Sequence, residues 1–124
     1  MSWEFQSDRP IYAQLMEQIK RRIITGIYPP GEKMPSVREL AAEASVNPNT
    51  MQRAFAQLEQ EGLLYTQRTS GRFVTEDQQR ILEMKTEMAD ELAKRFLEDM
   101  EQLGYNCRQA VEVLERFEKE SEKL

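Results

Sequence analysis

Apolar residues recur along most of this chain with the period of a helix. Ile11, Leu15, Ile19 and Ile23 stand four apart, and Tyr12 and Met16 widen their stripe. Pro10 suits a first helical position with Asp8 or Ser7 as the cap before it, and Gly26 suits the stop. "YPPGEKMP", residues 28–35, cannot continue a helix and reads as a loop. Ser36 and Glu39 have capping-box spacing, with Val37, Leu40 and Ala41 facing inward, so a short second helix is expected to end near Ala44. After the turn "SVN", Asn47 is a natural N-cap and Pro48 a natural first helical residue. The third helix they open has Met51, Ala54, Phe55 and Leu58 on its inner face and Gly62 as its stop.

The pattern then changes. "LLYTQ" (63–67) and "RFV" (72–74) are rich in aromatic and branched residues and read as short strands around "RTSG", where Gly71 can take the positive φ of a hairpin. Helical spacing returns from Glu76 to Leu103, with Ile81, Met84, Met88, Leu92, Phe96, Met100 and Leu103 on one face and Gly104 as the stop. Asn106 and Gln109 again resemble a capping pair. Ala110, Val111, Leu114, Phe117, Ser121 and Leu124 line a last helix.

Two amphipathic helices joined at "GYN" predict an antiparallel hairpin. Alone it would bury little, and its apolar stripe calls for another surface, most simply a second copy of itself. The expected fold is therefore mostly α with a small β-hairpin. Residues 1–75 are expected to form one domain of three helices and the hairpin, and residues 76–124 a helical hairpin that dimerises and could respond to an effector. Met84, Met88, Leu92, Phe96, Met100, Leu114 and Phe117 are the expected dimer contacts.

Composition narrows the class. The 124 residues suit one small domain with an appendage, and the 40% hydrophobic and 31% charged content suits a helix-rich globular chain. No apolar run approaches the roughly 18 residues that would span a bilayer, so no membrane partner is expected. "MSWEFQSDRP" lacks a basic segment followed by an apolar core, which argues against a secretory signal. The single cysteine, Cys107, has no intrachain partner, and a reducing cytoplasm is the simplest home. There is no histidine, which removes the commonest general base and metal ligand. The net charge of −5 is uneven: residues 1–75 carry 9 Lys/Arg against 8 Asp/Glu, residues 76–124 carry 8 against 14. Only the first segment could lie against phosphate.

A short helix, a tight turn and a helix with a polar first turn describe a helix-turn-helix, whose second helix enters the major groove of double-stranded DNA. Asn49 and Gln52 carry amides that can pair bidentately with adenine, and Thr50 can meet phosphate, a base edge or a thymine methyl. The N–H groups of the first turn favour phosphate as well. Arg38 lies in the preceding helix, where the backbone usually crosses. Arg53 sits in the second turn of the recognition helix, where pairing with Glu39, Glu43 or a carboxylate of another subunit is the competing reading. Arg68, Ser70, Gly71 and Arg72 form a hairpin tip that can reach phosphates or a narrow minor groove, and Lys33 adds a phosphate contact from the loop. Glu76, Asp77, Glu83, Glu87, Asp90 and Glu91 alternate with Lys85, Lys94 and Arg95 in the pattern of a solvated helix face. No nucleophile–base pair, phosphate loop or cofactor fingerprint accompanies them, so neither a cofactor nor an enzyme is expected. Cys107 follows a helix cap and reads as a bystander.

"YPPGEKMPSVRELA" (28–41) and "NPNTMQRAFAQLEQEGLL" (47–64), with "PIYAQLMEQIKRRIITG" (10–26) and "SGRFV" (70–74), resemble the GntR family of transcription regulators, especially its small YtrA-like branch. The resemblance is dense over residues 10–75; the tail matches in length and helicity. It implies a winged helix-turn-helix and a cytoplasmic, dimeric bacterial repressor, often of ABC-transporter or envelope-stress operons. It implies DNA contacts at Arg38, Asn49, Thr50, Gln52 and the wing around Gly71. Pro48 stands where other branches often place an arginine, and "RTSGRFV" departs from the commoner G-x-G-T-F-V wing.

A chain of net charge −5 is repelled by DNA at long range, so specific binding would depend on local cations and on two half-sites engaged together. That argues for a homodimer on an inverted repeat, independently of resemblance. The competing reading is a winged-helix protein-interaction module. The tail is too short to enclose a roomy cavity, so either a small-molecule effector sits between subunits or between tail and winged domain, or the signal acts by another route.

Overall fold

The computed structural model describes residues 2–122. Three helices come first: α1 (Ile11–Ile24), α2 (Val37–Ala44) and α3 (Pro48–Gln60). A hairpin of β1 (Leu64–Gln67) and β2 (Gly71–Val74) follows, then α4 (Gln78–Gln102) and α5 (Cys107–Glu122). The order of elements is the one the periodicity predicts. Leu124, placed on the last helix by its spacing, lies outside the described residues.

Helix starts follow from side chains that satisfy orphan amides. Ser36 Oγ accepts from Glu39 N at 3.1 Å, and Asn47 Oδ1 accepts from Asn49 N at 2.7 Å. Asn106 and Gln109 form a reciprocal capping box, each side chain accepting from the other's backbone N–H at 2.9 Å. Asp77 caps α4 by accepting from Arg80 N, which starts that helix two residues later than the spacing predicts. The start of α1 differs more. Pro10 is its cap residue and no side chain caps it, so neither Asp8 nor Ser7 takes that role. Gln14, buried at 2% exposure, works from inside the helix instead. Its amide donates to Gln6 O and Arg9 O and its Oε1 accepts from Gln6 N, pinning the preceding arm to α1. Further up the arm, Glu4 O accepts from Gln18 and Trp3 lies on the Arg22 guanidinium, 3.6 Å from ring centroid to Cζ.

The chain divides into two compact units, Met1–Lys85 and Thr86–Leu124. In the first, α3 packs on α1, α2 and β1. Its core is Leu15, Ile19, Ile23, Leu40, Met51, Phe55 and Leu58, closed by Leu63, Leu64 and Val74. The stretch expected to be a plain loop does more. Gly31 N and Met34 N donate to Val74 O and Arg72 O, and Val74 N donates to Glu32 O, so residues 31–34 lie along β2 as a third edge. The division falls inside α4 because its first turns belong to the winged unit: Arg80 Nε donates to Glu61 O, and Met84 is fully buried. Met84 is therefore not available as a dimer contact, contrary to the expectation from spacing. In the second unit α4 and α5 are joined by four residues, 103–106, and Ala110 is fully buried. No helix among the described residues is long and apolar enough to cross a membrane.

Candidate nucleic-acid interface

An open groove of about 660 Å³ runs along one face of the winged unit. Arg38 and Ser36 reach it from α2 and its cap, Gln52 from α3, and Ser70, Gly71 and Arg72 from the hairpin, with Lys33 on the adjoining edge. Residues from three separate stretches thus converge on one surface. Of the residues the sequence singled out, Asn49, Thr50, Arg53 and Arg68 lie outside this groove. Asn49 and Thr50 sit in the turn of α3 before Gln52, Asn49 exposed and Thr50 half-buried, and Arg68 is exposed in the hairpin turn.

Two helices fix the groove's floor. The turn between them closes with Ser45 in the left-handed region, φ 57°, where Ser45 N and Val46 N return to the last carbonyls of α2. That conformation is uncommon for a side-chain-bearing residue and makes the connection short. The first turn of α3 is less open to anions than its position suggests. Pro48 has no N–H, Asn49 N is taken by the Asn47 side chain, and Thr50 N and Met51 N donate to Asn47 O at 3.0 and 3.1 Å. The first-turn N–H groups expected to favour phosphate as well are thus already engaged, and this turn presents side chains.

The wing is a four-residue ribbon with Tyr65 opposite Phe73 and Thr66 opposite Arg72. The Tyr65 and Phe73 rings stack at 5.6 Å. Gly71 has φ +100°, and a Cβ there would stand 3.2 Å from Lys33 Cε. The turn therefore favours glycine for its backbone, while the flexible Lys33 stem could shift by the few tenths of an ångström a Cβ would need.

Two of the expected cations are held within the domain. The Arg53 guanidinium lies 4.5 Å from the centroid of Tyr12 on α1, so its partner is an aromatic face rather than Glu39 or Glu43. Arg72 reaches Glu59 Oε2 at 3.8 Å and lies over the Phe55 ring. Arg38, Lys33 and Arg68 are exposed cations on or beside the groove. The acidic residues named in the tail are all exposed, as a solvated face requires, and no group of His, Cys, Asp and Glu among the described residues could hold a metal ion. Cys107 is a free, exposed thiol at the first position of α5. Sequence reasoning missed Glu59, Thr66 and the edge at 31–34, because each acts through strand register, which no local pattern reports.

A polar-faced second helix of a helix-turn-helix, flanked by a cationic wing, defines a winged helix-turn-helix DNA-binding regulator. A family model for "Bacterial regulatory proteins, gntR family" matches residues 11–74. This chain belongs to the GntR family of DNA-binding transcriptional regulators, which are not enzymes.

The uncharacterized HTH-type transcriptional regulator YhcF of Bacillus subtilis is 37% identical over 117 residues, 94% of this chain and 97% of its own length. The HTH-type transcriptional repressor YtrA of the same organism is 40% identical over 100 residues, 80% of this chain and 77% of its own. Among solved structures, a GntR family transcriptional regulator from Listeria monocytogenes superposes with TM-score 0.83 at 39% identity, covering 90% of this chain and 98% of that one. The DNA-binding domain of AraR, solved in complex with an operator, matches with TM-score 0.54 at 33% identity, covering 60% of this chain and 99% of that domain.

Proposed function

We propose that this protein is a dimeric repressor that reads an inverted-repeat operator. The carrying observation is the convergence of Arg38, Gln52, Ser70, Gly71 and Lys33 on one open groove. Gln52 and Asn49 would read base edges, and Arg38, Thr50, Lys33 and the wing would fix register on the backbone. Arg53 and Arg72, already engaged on Tyr12 and Glu59, are assigned to holding the domain together.

The dimer reading rests on the tail. Leu92, Leu114 and Phe117 are 49%, 50% and 62% exposed, and a second copy would cover them. Met88, Phe96 and Met100 are half-buried in the same segment. Two winged units so joined would address half-sites one helical turn or a multiple apart. Repression is supported by the likeness to YtrA, a repressor. A cytoplasmic setting, and an effector acting through the tail, complete the reading.

Selection of duplexes from a randomised pool, followed by titration of the winner at several salt concentrations, tests it. Recovery of a palindrome with a steep salt dependence is the expected result. Failure to enrich any sequence would overturn it in favour of a protein-interaction module.

A further inference from the structure

One carboxylate spans the two strands of the wing. Glu59 lies one turn beyond Phe55 on α3, the helix that carries Gln52. Its Oε1 accepts from the Thr66 hydroxyl on β1, and its Oε2 faces Arg72 Nε on β2 at 3.8 Å. Thr66 and Arg72 are cross-strand partners, so at one level the carboxylate is hydrogen-bonded to β1 and ion-paired with β2, where the buried Arg72 Nε has no hydrogen-bond partner. The Arg72 guanidinium carbon lies 5.5 Å from the centroid of Phe55, a fully buried core ring. On its other side, Arg72 O accepts from Met34 N at 2.8 Å. The wing's base is set by Leu64 and Val74 in the core, and its middle by Glu59.

The geometry points to Glu59 as a positioning residue for DNA recognition: it fixes the angle of the wing relative to the recognition helix, using Arg72 as its strut. This rests on the reading of the groove as a DNA-binding surface. Ser70, Gly71 and Arg68 lie beyond the level of the clamp, so its release would move the contacts at the tip and leave Gln52 in place. Placing a carboxylate next to a DNA surface has an electrostatic cost, and this makes the inference sharp. If Glu59 only neutralised Arg72, its removal would free a cation and tighten DNA binding. If it positions the wing, its removal weakens binding.

The test uses the full chain and its selected operator with Glu59→Ala, Glu59→Gln, Arg72→Ala and the Glu59→Ala/Arg72→Ala double variant. Glu59→Ala is expected to weaken operator binding about tenfold. The slope of log affinity against log salt should become shallower by about 0.9 for each phosphate contact the wing loses. Discrimination at the base pair read by Gln52 should persist, a split that general destabilisation would not give. Glu59→Gln keeps an acceptor for Thr66 and should fall between wild type and Glu59→Ala, which separates wing release from unfolding. The double variant should bind no more weakly than Arg72→Ala alone, since both substitutions break one strut. Tighter or unchanged binding by Glu59→Ala, or additive losses in the double variant, would overturn the inference while leaving the DNA-binding reading intact. Wild-type protein that selects no sequence would overturn that reading, and this one with it.

Discussion

At the scale of single residues, polar side chains divide into those that build the site and those that the proposed function sets against DNA. Asn47 belongs to the first group: its side chain holds the Asn49 amide at 2.7 Å. Asn47→Ala should cost about 1 kcal/mol of stability, seen as a lower urea midpoint with unchanged slope. Gln52 belongs to the second. It is exposed and lines the groove. Gln52→Ala should remove roughly 1–3 kcal/mol of discrimination at one base pair of the operator. An equal loss across all operator variants would assign it a backbone contact instead. The cap at Asn47 and the exposed place of Gln52 on α3 were legible in the sequence because both depend on position within one helix. The partners of Arg53 and Arg72 were not, since a charge alone does not say which neighbour the fold will bring to it.

Elements carry a second layer of design. The arm before α1 looks like an ordinary terminus in the sequence, yet three side chains fasten it. Trp3 lies on Arg22, Gln18 holds Glu4 O, and Gln14 takes backbone groups of Gln6 and Arg9. A glutamine inside the apolar stripe Ile11–Leu15–Ile19 would ordinarily be read as solvated. It is buried because the arm covers it, and its hydrogen-bonding groups are satisfied by that arm's backbone. Gln14→Leu should leave those backbone groups unmatched and cost about 1–3 kcal/mol. Faster hydrogen exchange at the Gln6 amide is the accompanying signature; an unchanged rate would mean that Trp3 and Gln18 hold the arm without Gln14. The wing has the same character. Its two strands were legible from composition, but the third edge at 31–34 follows from where β2 lies, not from any strand-like pattern in "GEKM".

For the whole molecule, the division inside α4 separates two tasks that share one helix. Met84 has the same spacing as Met88 and Leu92, but its turn of α4 belongs to the winged unit and is buried there. The apolar stripe therefore serves the winged core first and the exposed tail afterwards. Phe117, 62% exposed on α5, is the sharpest probe of the proposed dimer. Phe117→Glu should shift the sedimentation mass from dimer toward monomer at micromolar concentration. It should also weaken binding to a two-half-site operator much more than to a single half-site. A dimer that persists unchanged in Phe117→Glu would place the interface elsewhere. The same separation bears on charge. The acidic tail, with 8 Lys/Arg against 14 Asp/Glu over residues 76–124, gains nothing from phosphate, so a salt titration should report the winged unit's cations alone.

The sequence by itself determined the helices, the caps of α2, α3 and α5, the hairpin, and Gln52, Arg38 and Gly71 as candidates for one shared surface, the groove they line. These follow from local rules: periodicity, capping chemistry and the positive φ that glycine allows. Only the tertiary structure decided which cations have partners within the domain, where the winged unit ends along α4, and that Glu59 meets Thr66 and Arg72 on opposite strands of the wing. Those outcomes depend on residues far apart in the chain being brought within a few ångströms. Strand register and helix packing set such distances, and spacing along one element cannot encode them.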